Sequence, residues 1–237
     1  MQWQDSGIII GVIPFGESKQ RIICLTQHNG LKTGLFRPSK NQHLFLGDRA
    51  LFTWRGRLEE HLGTFQIEVE ESIYSQFLYQ TQKIILLRTL TDLLSKILPD
   101  SHTYPEIFKH LECFLYHQIL DSSFLSYYVH FEVFLLNQLG FHLDFTTCAL
   151  TGETENLTHV SPNTGRAVTT LAAKPYIEKL LELPEFLQKD RTTDNILEIE
   201  KGLMLTGHFL SNHLLAGQPL SENRTFFIDS LKKDCAA

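Results

Sequence analysis

Apolar and polar positions change their rhythm once along this chain. Over the first seventy residues, short segments rich in Ile, Val, Leu, Phe and Thr recur: Gly7 to Ile13, Arg21 to Gln27, Leu31 to Phe36, Ala50 to Trp54 and Thr64 to Val69. Each is bounded by Gly, Pro, Asn or Asp, which is the pattern of strands separated by turns. Asn29-Gly30 lies between the second and third segments. That dipeptide readily supplies the positive φ angles of a tight hairpin. Five short strands with no long helix among them predict a small closed barrel, and the OB-fold is the five-stranded form that often binds single strands.

From Glu71 onward the spacing is helical. Ile73, Phe77, Ile84, Leu87, Leu94 and Leu98 mark one helical run that Pro99 ends. A second helix is predicted from Pro105, with Ile107, Phe108, Leu111, Phe114, Leu115 and Ile119 on one side. Asp121 or Ser122 can cap a third, which carries Leu125 to Leu139 and places Gly140 at its C′ position. The stretch from Phe141 to Gly165 reads as irregular, because its Thr, Gly and Asn residues argue against helix. Helical spacing resumes over Arg166–Leu183, Thr193–Leu215 and Asn223–Lys233. The expected fold is therefore β followed by α: a five-stranded OB-like barrel in residues 1–70 and an all-α domain in 71–237, with the junction near Glu70.

Charge sharpens this division. The net charge of −6 is unevenly spread. Residues 1–57 hold eight basic side chains (Lys19, Arg21, Lys32, Arg37, Lys40, Arg49, Arg55, Arg57) against Asp5, Glu17 and Asp48, a net +5 that leaves −11 for the remainder. A basic module joined to an acidic body points to an anionic ligand for the barrel. The chain start lacks the basic and apolar regions of a signal peptide, and no apolar run approaches the roughly 20 residues that span a bilayer. A soluble, cytoplasmic protein without a membrane role is expected.

Catalytic and metal chemistry find little support. Cys24, Cys113, Cys148 and Cys235 are scattered with no C-x-x-C pair, so they are read as buried free thiols. The eleven histidines, His61 among them, form no H-E-x-x-H and no finger spacing with cysteine. No phosphate-binding loop is present. Cys148 has His142 and Asp144 nearby and His159 beyond, yet no nucleophile turn surrounds it, so a cysteine hydrolase is a minor alternative. No enzyme activity and no cofactor are expected.

Single-strand binding requires a cationic groove with aromatic faces for bases. Phe36 adjoins Arg37, Lys40 follows, and Trp54 precedes Arg55 and Arg57, with Phe45 and Arg49 between them. The expected DNA-binding set is Lys32, Arg37, Lys40, Arg49, Trp54, Arg55 and Arg57. Phe36 and Phe45 are read as barrel core, and Trp54 stands between core and stacking surface. A non-catalytic adaptor whose barrel docks a protein is the alternative function.

Several landmarks in order resemble the RecO family of bacterial recombination mediators. Trp3 with Asp5-Ser6-Gly7-Ile8-Ile9, His28-Asn29-Gly30-Leu31, Phe36-Arg37-Pro38-Ser39-Lys40, Leu46-Gly47-Asp48 and Leu62-Gly63-Thr64-Phe65 are similar to family features of the barrel. More specific is the series Phe131-Glu132-Val133-Phe134-Leu135-Leu136, Leu139-Gly140-Phe141, Cys148-Ala149-Leu150-Thr151-Gly152 and Val160-Ser161-Pro162-Asn163-Thr164-Gly165-Arg166-Ala167-Val168. The resemblance spans nearly the whole chain. It implies a non-enzymatic protein that binds single- and double-stranded DNA and anneals complementary strands. It also implies that the protein helps load RecA together with RecR, in some settings with RecF, on strands coated by single-stranded DNA-binding protein (SSB), whose acidic C-terminal tail the helical body binds. Many members hold zinc through C-x-x-C pairs in the segment 141–165. Here Cys148 faces Thr151 in the partner position and no second pair follows before Arg166. No zinc is expected, and Thr146, Thr147, Thr151, Asn163 and Thr164 are expected to hold the loop by hydrogen bonds.

Overall fold

The computed structural model describes residues 1–58, 62–100 and 102–234. Five strands open it: β1 (Gln2–Phe15), β2 (Lys19–Thr26), β3 (Gly30–Phe36), β4 (Arg49–Arg55) and β5 (Gly63–Glu71). They close into a barrel in the order β1-β2-β3-β5-β4. Closure depends on the length of β1. Its C-terminal part pairs with β2, and its N-terminal part pairs antiparallel with β4 from Gln2↔Arg55 to Ile8↔Arg49. A register shift between Ile9 and Gly11 marks the irregularity at which such a strand bends. A parallel contact of β3 with β5, at Gly34↔Gly63 and Leu35↔Thr64, completes the OB-like topology.

The β2–β3 turn is built as its sequence suggests. Gly30 has φ +73°, and a Cβ there would collide with the His102 carbonyl. The buried carboxylate of Asp5 holds this turn by accepting bonds from the backbone N–H groups of His28 (2.8 Å) and Asn29 (3.1 Å) and from Asn29 Nδ2 (2.8 Å). Burial alone would raise this carboxyl; the hydrogen bonds outweigh it and hold it below the ordinary carboxylate value. The barrel interior is filled by Ile9, Ile22, Cys24, Phe36, Leu44, Ala50, Phe52, Trp54, Phe65 and Ile67.

After β5 the chain makes a 3₁₀ turn at Tyr74–Phe77 and then forms α1 (Thr81–Ile97), which packs against β1, and α2 (Pro105–Tyr116). By packing, Met1–Tyr116 and Ser221–Phe227 form one unit, and His117–Leu220 with the chain from Ile228 on forms another. The second unit contains α3 (Phe124–Gln138), β6 (Leu157–Val160), β7 (Ala167–Thr169), α4 (Thr170–Ala173), β8 (Leu181–Glu182), α5 (Glu185–Gln188) and α6 (Ile196–Phe209), the last continued by a π-helical turn at Leu210–Leu214. The final helix, α7 (Glu222–Asp234), follows. Within this unit α3 packs on α6, and the Thr206 hydroxyl donates to the fully buried Glu132 carboxylate. Gly140 follows α3 with φ +93°, as expected of a C′ residue.

Three expectations are corrected. Arg166–Leu183 is not one helix: β7 and β8 flank β6 in a three-stranded sheet, with α4 and a 3₁₀ turn at Lys174–Lys179 between them. Ala167, Val168 and Thr169 are all buried, and an apolar run buried on both faces has no period that separates strand from helix. The segment 141–165, read as wholly irregular, contains β6, whose four residues are too few to show a period. At the start of α3 neither Asp121 nor Ser122 is the cap. Ser123 takes that position, its hydroxyl donates to Asp194 Oδ1 (2.6 Å), and Asp121 Oδ1 instead accepts the Ser123 N–H (2.8 Å).

Candidate nucleic-acid interface

Strand register aligns one outward row of side chains around the end of the barrel. Ile13 pairs with Arg21, Arg21 with Leu35, Leu35 with Thr64, Thr64 with Arg55, and Arg55 with Gln2. Three strand spacings of about 4.8 Å put the Arg21 and Arg55 backbones roughly 14 Å apart along this row. Arg37 continues β3 one step beyond its end, on the same outward parity as Leu35, and is exposed. Lys40 and Arg57 are exposed in the connections that follow β3 and β4. Among the described residues, Lys19, Arg21, Arg37, Lys40 and Arg57 form no ion pair. Arg55 donates from Nε to Gln2 Oε1 (3.1 Å). Of the sequence-predicted residues, Arg55 and Arg37 therefore lie at this end of the barrel, and Lys40 and Arg57 are exposed in the loops that leave it.

The other three lie elsewhere. Lys32 is half-buried and paired with Cys24 on the inward register, away from the outward row. Arg49 is enclosed by carboxylates: its guanidinium is 2.9 Å from Glu71, 3.2 Å from Glu112 and 3.6 Å from Glu70, and it lies 5.1 Å from the Tyr116 ring centroid. The Tyr116 hydroxyl donates to the Gly47 carbonyl (2.7 Å), and burial pushes its ionisation well above the ordinary phenol value. Arg49 thus ties β4 to β5 and α2. Trp54 is only 2% exposed and stacks on Trp3 at 5.9 Å, so no base can reach its faces. Its place as a stacking residue is corrected: position 54 is on the inward parity shared with Ala50 and Phe52. Phe36 is core as expected, whereas Phe45 is 40% exposed and stacks on Tyr74 at 4.6 Å.

Sequence reading counted Lys19 and Arg21 as charges but missed their position beside exposed Ile13 and Phe15. The signal was there. Ile22 and Cys24 are core positions of β2, so period-two alternation sends Lys19, two residues before it, and Arg21 to solvent.

The loop after α3 shows what stands where zinc would be held. Asp144 accepts bonds from the Thr146 N–H (3.0 Å), the Thr146 hydroxyl (2.6 Å) and the Thr147 hydroxyl (3.2 Å), and lies 3.6 Å from Arg166 Nε. The Thr146 side chain, more than any other group, holds this carboxyl below its usual value. Thr151 donates to Glu153, and Thr164 accepts from the Arg166 N–H (3.4 Å). Burial pushes the Cys148 thiol up, but hydrogen bonds, led by the Thr151 side chain and the Thr169 N–H, bring it down to about 6. Among the described residues no three His, Cys, Asp or Glu side chains are grouped to hold a metal ion. The donor set does not fit zinc. Cys24 is buried as expected; Cys113 is exposed, because it lies off the Leu111–Phe114–Leu115 stripe of α2, and Cys235 lies outside the described residues. Among the described residues no helix is long and apolar enough to cross a membrane.

Comparison with known proteins identifies the family. Residues 80–222 match the family model described as recombination protein O C terminal. A DNA repair protein RecO from Ruegeria sp. is 36% identical over 98% of this chain and 99% of its own length. Its counterpart from Rhodospirillum centenum is 35% identical, covering 98% of this chain and 96% of that protein. A third, from Anaplasma marginale, is 32% identical over 95% of both. With a family model over more than half of its length and relatives 32–36% identical over nearly all of it, the chain belongs to the RecO family.

Proposed function

We propose that this protein is a DNA-binding recombination mediator in DNA repair, without catalytic activity of its own. The observation that carries the reading is the outward row at the barrel end, where Arg21 and Arg55 keep their charges solvated, with exposed Arg37, Lys40 and Arg57 in the connections beyond, all within residues 1–57 of net +5. Phosphates recruit such charges by releasing condensed counterions, which gives affinity without sequence preference. Residues 1–70 would then bind single- and double-stranded DNA and bring complementary strands together. The helical domain, residues 71–237, would serve the partners RecR, the SSB tail and, in some settings, RecF during RecA loading. Exposed Leu171, Tyr176 and Ile177 beside Lys174 and Lys179 suit an acidic tail with apolar residues. A cytoplasmic location and the absence of a cofactor belong to the same reading.

The test is fluorescence anisotropy with labelled single-stranded DNA across a salt series. Steep weakening with salt supports the proposal, and so does reduced affinity of the folded triple variant Arg37→Ala, Lys40→Ala, Arg55→Ala. Unchanged affinity of that variant overturns the assignment of the site. Exposed Ile13 and Phe15 also suit an adaptor whose barrel docks a protein; absence of any DNA binding at low salt would favour it.

A further inference from the structure

At the tip of the β1–β2 hairpin an aromatic ring stands in solvent. Phe15 is 48% exposed and Ile13 36% exposed, while Val12 between them and Ile9 packs on the core. Phe15 pairs directly with Lys19, and Ile13 with Arg21. Opposed residues on neighbouring strands share a face with their Cβ atoms about 5 Å apart, so each apolar side chain stands beside a cation. Neither cation has an ion-pair partner among the described residues.

The other aromatic side chains of the barrel are occupied. Trp54 is covered by Trp3, Phe52 and Phe65 meet edge to face, Phe36 is buried, and Phe45 lies on Tyr74. Phe15 has no ring neighbour among the described residues. The turn beyond it is open, since a Cβ at Gly16 would meet nothing within 4 Å. An accessible aromatic face flanked by an ammonium and a guanidinium is what a nucleobase and its adjoining phosphates require.

We propose that Phe15 is the base-stacking residue of the barrel, with Lys19 and Arg21 holding the phosphates on either side. This rests on the nucleic-acid reading of the barrel and specifies its ligand further. The ligand is a single strand, because the bases of a duplex already stack on one another and leave no free face for the ring. Recognition is indifferent to base identity, since every base has a π face.

The experiment uses the full chain and two labelled oligomers of equal length, one of thymidylate and one abasic. Phe15→Ala should weaken thymidylate binding about 10-fold and leave the abasic oligomer unaffected, Phe15→Trp should restore the loss, and Arg21→Ala should weaken both oligomers. If Phe15→Ala leaves thymidylate affinity unchanged, or weakens both oligomers alike, the stacking role is overturned while the nucleic-acid reading stands. If the wild-type protein binds neither oligomer, the reading of the barrel itself falls and the stacking role with it.

Discussion

Trp54 stacks on Trp3 with ring centroids 5.9 Å apart and planes 8° from parallel, inside the barrel where β1 and β4 close it. The pair seals the register Trp3↔Trp54, and Phe65 meets Trp3 edge-on at 6.1 Å. Trp54→Ala is therefore a stability variant. It should lower the unfolding free energy by about 3–5 kcal/mol, as expected for removal of a buried large aromatic, measured by denaturant titration. A folded Trp54→Ala protein with native stability and weakened DNA binding would show that the ring serves the ligand instead.

Arg49 and Arg55 sit on the same strand and should behave differently. Arg49→Ala breaks contacts with Glu70, Glu71 and Glu112 and should reduce stability while leaving the salt dependence of DNA binding unchanged. Replacing Arg37, Lys40 and Arg55 together should instead lower the slope of log affinity against log salt by about 2, at roughly 0.7 per single-strand phosphate contact. An equal change in slope from Arg49→Ala would place that side chain on the ligand.

Asp5 predicts a pH dependence. Its folded-state pKa is held below the ordinary value, so its stabilisation is complete above about pH 4 and is lost as pH falls through the depressed folded value. Asp5→Ala should cost about 2 kcal/mol near neutrality through its lost charge-assisted bonds. The gap between wild type and variant should narrow in acid, where the wild type also loses the carboxylate's contribution. Unfolding curves at the two pH values check this, and a gap that widens in acid contradicts it.

The loop around Asp144 should be independent of metal. Chelator should leave the melting temperature unchanged, whereas Asp144→Ala, by releasing Thr146, Thr147 and Arg166, should speed protease cleavage within residues 141–165. A fall in melting temperature on chelation would reveal a metal ligand set that the described residues do not show.

Much of this architecture was legible along the chain. Short segments rich in Ile, Val, Leu, Phe and Thr and bounded by turn residues located all five barrel strands, Asn29-Gly30 located a hairpin, and helical spacing with Pro99, Pro105 and Gly140 as punctuation located α1 to α3. These signals are local: a strand with one buried face must alternate, and a helix end must change its backbone angles whatever lies beyond it. The excess of basic residues over positions 1–57 was equally plain. β7 escaped because full burial erases alternation, and β8, two residues long, is too short to show any.

The candidate site was legible in residue type and only partly in position. That Arg37, Lys40, Arg55 and Arg57 are basic and follow strands is written in the sequence. That they share one end of the barrel with Arg21 follows from β3 pairing in parallel with β5, a long-range contact that no local pattern encodes. The same holds for exclusion. Arg49 looks like any other strand-end cation until the fold brings Glu70, Glu71 and Glu112 around it. Trp54 looks like a stacking platform until closure of β4 on β1 delivers Trp3 to its face. Sequence by itself determined which elements form and the sign of the module's charge, because propensity, alternation and composition act over a few residues. Tertiary structure alone decided which charges stay solvated and which ring stays free, because both depend on neighbours tens of residues away.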